Sequence, residues 1–140
     1  MTRKVALFTG QWADMPLKDL AAKAKEWGYE ALELGCWGDH MDVEQAAGDM
    51  SYVKQQLDIL HSNGLELCSI SSHLAGQLVC DPNTDARSDD FAVAEVAGDA
   101  EKKREWAIEQ MKLSAKAAKN LGVEVVNGFT GSPVWHLFYS

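Results

Sequence analysis

An α/β fold of alternating strands and helices is predicted by three features of this 140-residue sequence. A short phrase recurs three times, as EWGYEALEL at 26–34, SNGLELCS at 62–69 and NLGVEVVN at 120–127. In each, a helical pattern ends at a glycine (Gly28, Gly64, Gly122), followed by a large apolar residue, a glutamate and an apolar run. A glycine just past a helix takes the left-handed conformation that closes the last turn, so the phrase is a helix-to-strand turn. Helical periodicity precedes each turn. The runs after the turns are short and apolar without polar alternation, as in parallel strands covered by helices.

The first strand is VALFT (5–9). Asp14 is placed to cap the helix that follows, whose inward stripe is Leu17, Leu20, Ala21, Ala24 and Trp27. The second strand is ALELG (31–35), and Ser51 is placed to cap the next helix, with Val53, Leu57 and Leu60 inward. LCSIS (67–71) makes the third strand, and a long polar loop over 74–100 is expected beyond it. A helix from about Glu101 to Leu121 turns Ala107, Met111, Ser114, Ala118 and Leu121 to one side and lysines to the other; VEVVNGF (123–129) closes the series. The order is β-α-β-α-β-α-β. Right-handed crossovers leave an open doubly wound sheet or a (β/α)8 barrel. The loop after the first strand, FTGQWADMP, has one glycine and neither GxGxxG nor GxxxxGK, which weakens a nucleotide-binding open sheet. A barrel puts its function in the loops after its strands, and those loops hold the unusual residues here.

Composition narrows the function classes. A 46% apolar fraction and three prolines describe a folded chain long enough for one core. The net charge of −8 repels phosphate backbones, so nucleic acid is not an expected partner. The apolar run before Gly10 is too short for a signal peptide or a membrane span, so neither membrane association nor export is expected. Cys36, Cys68 and Cys80 are odd in number and lack CxxC spacing, which suits reduced, buried thiols and a cytoplasmic location.

Three of the five tryptophans, Trp12, Trp37 and Trp135, fall in loops after strands, while Trp27 and Trp106 lie in helices as packing residues. GCWGDHMD after the second strand adds Asp39 and His40, and SSHLAG after the third adds His73. Loops after parallel strands converge on one face, where aromatics and histidines would ring a pocket. Aromatic rings suit the apolar faces of a sugar, and Asp, His and Gln bind its hydroxyls, so a small sugar or polyol is the expected ligand. Blander readings stand beside these. Glu33 would serve as a satisfied interior carboxylate, His40 as a solvated loop residue, and His73 as a tie for the long loop. His61 suits a helix C-terminus. Asp81, Asp85, Asp89 and Asp90 lack the order of a calcium loop and read as solvated.

From VALFTG through GYEALELG and GLELCSISSH to GVEVVNGFTGS, the sequence resembles the N-terminal portion of the sugar phosphate isomerase/epimerase family. These are the xylose isomerase-like TIM barrels, which include ketose 3-epimerases, hydroxypyruvate isomerase, inosose dehydratase and, more distantly, endonuclease IV. The resemblance implies half of a (β/α)8 barrel, a single partial domain over 1–140. It matches Glu33 to the acidic residue near the end of the second strand and His73 to the histidine at the mouth of the third. It matches Trp12, Trp37 and Trp135 to positions lining the sugar pocket. In the endonuclease branch the histidine binds metal, which makes His73 a weak metal candidate.

The implied chemistry is a proton transfer through an enediolate, assisted by a divalent ion (Mn²⁺ or Mg²⁺, with Zn²⁺ or Co²⁺ as further options). The principal ligands and the acid/base pair would come from later strands, outside these 140 residues. The expectation is therefore a truncated domain that is inactive alone. The alternative is a non-catalytic half-barrel that binds a polyol or associates into a homo-oligomer.

Overall fold

The computed structural model describes residues 3–134 and residue 137. In chain order these form β1 (Ala6–Phe8), α1 (Leu17–Glu26), β2 (Ala31–Gly35), α2 (Val43–Gly48), α3 (Met50–Ser62), β3 (Glu66–Ser71), α4 (His73–Cys80), α5 (Ala100–Leu121) and β4 (Val126–Asn127). Short 3₁₀ turns cover Thr9–Trp12, Ala86–Phe91 and Ala94–Val96. Two compact units share the chain: the first runs to Ser71 and includes Ser114–Asn127, and the second holds Ser72–Leu113 and the segment from Gly128.

The first unit contains the sheet. Its order is β1-β2-β3-β4, with every neighbouring pair parallel. A doubly wound sheet reverses its strand order at a switch point, whereas a barrel adds each strand beside the last. The described strands follow the second rule, which makes them part of a (β/α)8 barrel. The three repeated turns form as expected: Gly28, Gly64 and Gly122 have φ of +89°, +65° and +75°.

One face of the sheet is closed by packing and the other is polar. Leu7, Leu32, Leu34 and Ile70 are buried on the closed face. Phe8, Glu33 and Ser69 follow one another across β1, β2 and β3 on the other face, and Ser71 pairs with Asn127 of β4. A bulge sets this arrangement. Leu32 pairs with Leu67, but Glu33 pairs with Ser69, so Cys68 is an extra residue. Because side chains alternate along a strand, one inserted residue exchanges the two faces beyond it. If β3 instead ran in regular register, with Cys68 opposite Glu33, Cys68 and Ile70 would share Glu33's face and Ser69 and Ser71 would point into the apolar layer.

Helix ends differ from the sequence expectation. Asp14 does not cap α1; Pro16 stands at that position, and the Leu17 N–H donates instead to Asp39 Oδ2 at 3.0 Å. Asp49 caps α3 in place of Ser51, accepting from the Ser51 N–H at 2.7 Å. Leu17, Leu20, Ala21 and Ala24 are buried, but Trp27 is 51% exposed, because the helix has ended and its ring lies at the surface. Leu57 is half-buried, and Gln56 takes an inward place beside Val53 and Leu60. An additional short helix, α2, occupies the loop after β2, capped by Asp42.

In the second unit the expected loop over 74–100 is largely ordered turns. α4 begins at His73 itself, and the segment after β4 lies against it. The Cys80 N–H donates to the Thr130 carbonyl at 2.9 Å. A Cβ on Gly76 would collide with the Phe129 carbonyl, and one on Gly131 with the Gln77 carbonyl. Only glycine permits backbones to approach this closely. Of the four aspartates read as solvated, Asp90 is exposed, but the other three are built into the turns. Asp81 is buried and accepts from the Asn83 N–H, while Asp85 caps the 3₁₀ turn at the Arg87 N–H. Asp89 accepts from the Gly98 N–H and from Lys103. Lys103, expected among the exposed lysines of α5, is 1% exposed, its ammonium donating to Ser88 Oγ at 2.6 Å and Asp89 Oδ1 at 2.7 Å. The cysteines are not buried either: Cys36 is half-buried, and Cys68 and Cys80 are exposed, Cys68 because the bulge turns it outward.

Candidate functional site

The polar face of the sheet concentrates hydrogen-bonding groups on three adjacent strands. Glu33, from the middle of β2, accepts through Oε2 from Ser69 Oγ at 2.9 Å and from Asn127 Nδ2 at 2.6 Å. Asn127 Nδ2 also lies 3.4 Å from Ser69 Oγ. Both donors share one carboxylate oxygen, and Oε1 takes no hydrogen bond from the described residues. Glu33 and Asn127 are half-buried, so the group is presented from within the sheet without being sealed. Such a carboxylate is a fixed acceptor for a hydroxyl proton.

Aromatic rings stand beside it. Phe8, the register partner of Glu33, meets the Trp37 ring edge-on at 5.9 Å between centroids. Trp37 also lies over Gly10 and Gly35, where any side chain would crowd its ring. Trp12 does not join this pair; its ring packs on Trp27 at 5.9 Å.

His40 is fully buried, which corrects its reading as a solvated loop residue. Its Nδ1 lies 3.0 Å from Thr9 Oγ1 and its Nε2 3.0 Å from the Met15 carbonyl. A carbonyl only accepts, so Nε2 carries the proton, and in the neutral ring Nδ1 accepts from the Thr9 hydroxyl. Thr9 Oγ1 in turn accepts from the Gly35 N–H at 3.0 Å. The chain of bonds ties together the loops leaving β1 and β2. Both ring nitrogens are engaged and the ring is covered, so His40 positions these loops and does not reach a ligand directly.

His73 belongs to the second unit, where it is half-buried at the start of α4 with its ring edge-on to Phe129 at 4.6 Å. Trp135 lies outside the described residues. Among the described residues no group of three or more His, Cys, Asp or Glu side chains could hold a metal ion, His73 included. These residues therefore do not fit a metal centre. Among the same residues no helix is long and apolar enough to cross a membrane.

Sequence reasoning reached Glu33 but missed Ser69 and Asn127, the two groups that fix it. The signal for Asn127 was present: it ends the apolar run VEVV as an abrupt polar residue, as the serines do in CSISS. Ser69 was hidden, because simple alternation assigns it to the opposite face.

Electrostatics support the surrounding loops. Burial pushes the Asp42 carboxyl up, but hydrogen bonds from the Gln45 side chain and from the Gln45 and Glu44 backbone outweigh it and hold it below the ordinary value of 3.8. Tyr52 donates nothing to Asp42 but accepts its N–H at 2.9 Å. Burial is the main cause that raises the Tyr52 hydroxyl above the ordinary 10.0, so it stays protonated.

Among solved structures, D-psicose 3-epimerase, determined in the presence of D-fructose, superposes at a TM-score of 0.48 with 10% sequence identity. The alignment covers 90% of this chain and 37% of that one, so the chain spans little more than a third of the enzyme's length. No match is found among curated protein sequences. Residues 21–139 match the family of xylose isomerase-like TIM barrels, a span that begins within α1 and continues past β4. The consecutive parallel strands and this match agree, and the chain belongs to the xylose isomerase-like TIM barrel family.

Proposed function

We propose that the chain supplies part of the sugar-binding surface of a carbohydrate isomerase or epimerase domain. The observation that carries this reading is the Glu33 carboxylate, held through one oxygen by Ser69 and Asn127 with its other oxygen left to accept a substrate hydroxyl. The Phe8–Trp37 pair beside it offers ring surface to the C–H face of a sugar. Family membership supports the substrate class. The described residues do not fit a metal centre, so no step of metal-assisted proton transfer is assigned to them. On this reading the isolated chain binds a ketose or polyol without turning it over.

The test is an NMR titration of the chain with a free ketose. Saturable shifts are expected at Phe8, Glu33, Trp37, Ser69 and Asn127, and the same spectra report whether Trp12, His40 and His73 respond. Glu33→Gln preserves the shape of the side chain but removes its charge, and should weaken binding about tenfold or more. Binding that is absent, or indifferent to this variant, would overturn the reading. Isomerisation or epimerisation of the ketose by this chain with added Mn²⁺ would overturn the claim that it is inactive alone. Native mass of the same sample tests the expected self-association.

A further inference from the structure

A second polar concavity lies in the first unit, between the loop entering α1 and the middle of α3, with a volume of about 580 Å³. It shares no lining residue with the Glu33 cluster. Four side chains with acceptor oxygens line it: Asp14, Asp39, Gln55 and Gln56. Asp39 uses Oδ2 on the Leu17 N–H, and no described residue donates to its Oδ1. Gln56 is only 7% exposed, yet its Oε1 is buried without a donor. The same side chain is tethered by a hydrogen bond to the Tyr52 hydroxyl. A buried amide oxygen left without a partner is costly, so its presence beside two carboxylates points to a donor from outside. Lys18 is the single basic side chain on the wall, which leaves one negative charge in surplus. Ile59 supplies an apolar contact.

We propose that this groove binds an organic cation, a guanidinium or primary ammonium group carried on a short alkyl stem. Among the described residues no third His, Cys, Asp or Glu joins Asp14 and Asp39, so the donor set is wrong for a metal ion. A cation bearing several N–H groups matches it: the head group donates to the carboxylates and to Gln56 Oε1, and the stem lies along Ile59. The net charge of −8 favours the approach of such a ligand over a long range at low salt. The proposal does not depend on sugar binding elsewhere.

Butylguanidinium, butylammonium and butanol share a stem and differ in the head, so they serve as probes in NMR titrations of the whole chain. Saturable shifts confined to residues 13–18, 39 and 55–59 are expected for a cation and not for butanol, and the tighter of the two cations identifies the preferred head group. Added salt should weaken the binding. Asp14→Asn, at an exposed residue with no hydrogen bond to the described chain, should weaken it by roughly two- to fivefold. Gln56→Leu should weaken it further while leaving the spectrum of the sheet in place. If neither cation saturates the groove, if butanol binds equally well, or if both variants bind as the parent does, the proposal fails. Ketose binding measured on the same sample shows whether the Glu33 site stands or falls separately.

Discussion

The first N–H of α1 is satisfied by Asp39, which lies 22 positions away along the chain, so the helix is anchored to the loop after β2. Removing that acceptor should cost about 0.5–2 kcal/mol, as for other lost N-caps. Asp14→Ala should leave stability almost unchanged, and a pair of urea melts separates the two. His40 makes a stronger case. His40→Leu would strip the Thr9 hydroxyl and the Met15 carbonyl of buried partners, and a loss of about 1–3 kcal/mol for each group left unsatisfied is expected from the same melts. Neither role was legible in GCWGDHMD. A cap is sought among sequence neighbours, and Asp14 stood in the right place for one. Nothing local distinguishes a histidine enclosed by two distant loops from one in water. Glu33 was more visible because a charge inside an apolar run must be satisfied or used.

Among the elements, the three helix-to-strand turns were readable because a left-handed glycine leaves a mark in sequence. α4 was not. SSHLAGQLVCDPN lacks a side-chain cap and contains a glycine, both unfavourable to a helix. That glycine has a tertiary reason, the Phe129 carbonyl pressed against it, which local propensity cannot express. Gly76→Ala should therefore destabilise by about 1–3 kcal/mol through overpacking. Gly48, at the exposed end of α2 with open space where a Cβ would stand, gives the contrast. Gly48→Ala should be neutral or stabilising by up to about 1 kcal/mol. Thermal melts of the two variants should move in opposite directions or differ clearly in size.

For the whole molecule, acid should be the weakening condition. Asp42, Asp49, Asp89 and Asp99 are all held below the ordinary 3.8. The largest lowering cause is the Ser51 hydroxyl for Asp49, the Gly98 N–H for Asp89 and the Lys102 N–H for Asp99. A carboxylate with a depressed folded value contributes stability that is complete above its unfolded value and lost as pH falls through the folded one. The urea midpoint should therefore hold steady down to about pH 4 and fall below it. A midpoint that rises instead would mean that relief of the net negative charge outweighs these four groups. At this scale the barrel class was legible, since strand succession and crossover handedness follow from element order. The partners of Glu33 were not, since they depend on one residue of register.

That register has a consequence for inheritance. The bulge at Cys68 behaves like a frameshift in the fold: everything on β3 after it is read on the other side of the sheet. Substituting Cys68 should be mild, and deleting it would take out the bulge while leaving Ser69 opposite Glu33 and Ile70 opposite Leu34. A relative that lacks the extra residue can keep this chemistry only by carrying its polar side chains one place earlier. Position-by-position comparison across such a pair would score two equivalent strands as unlike.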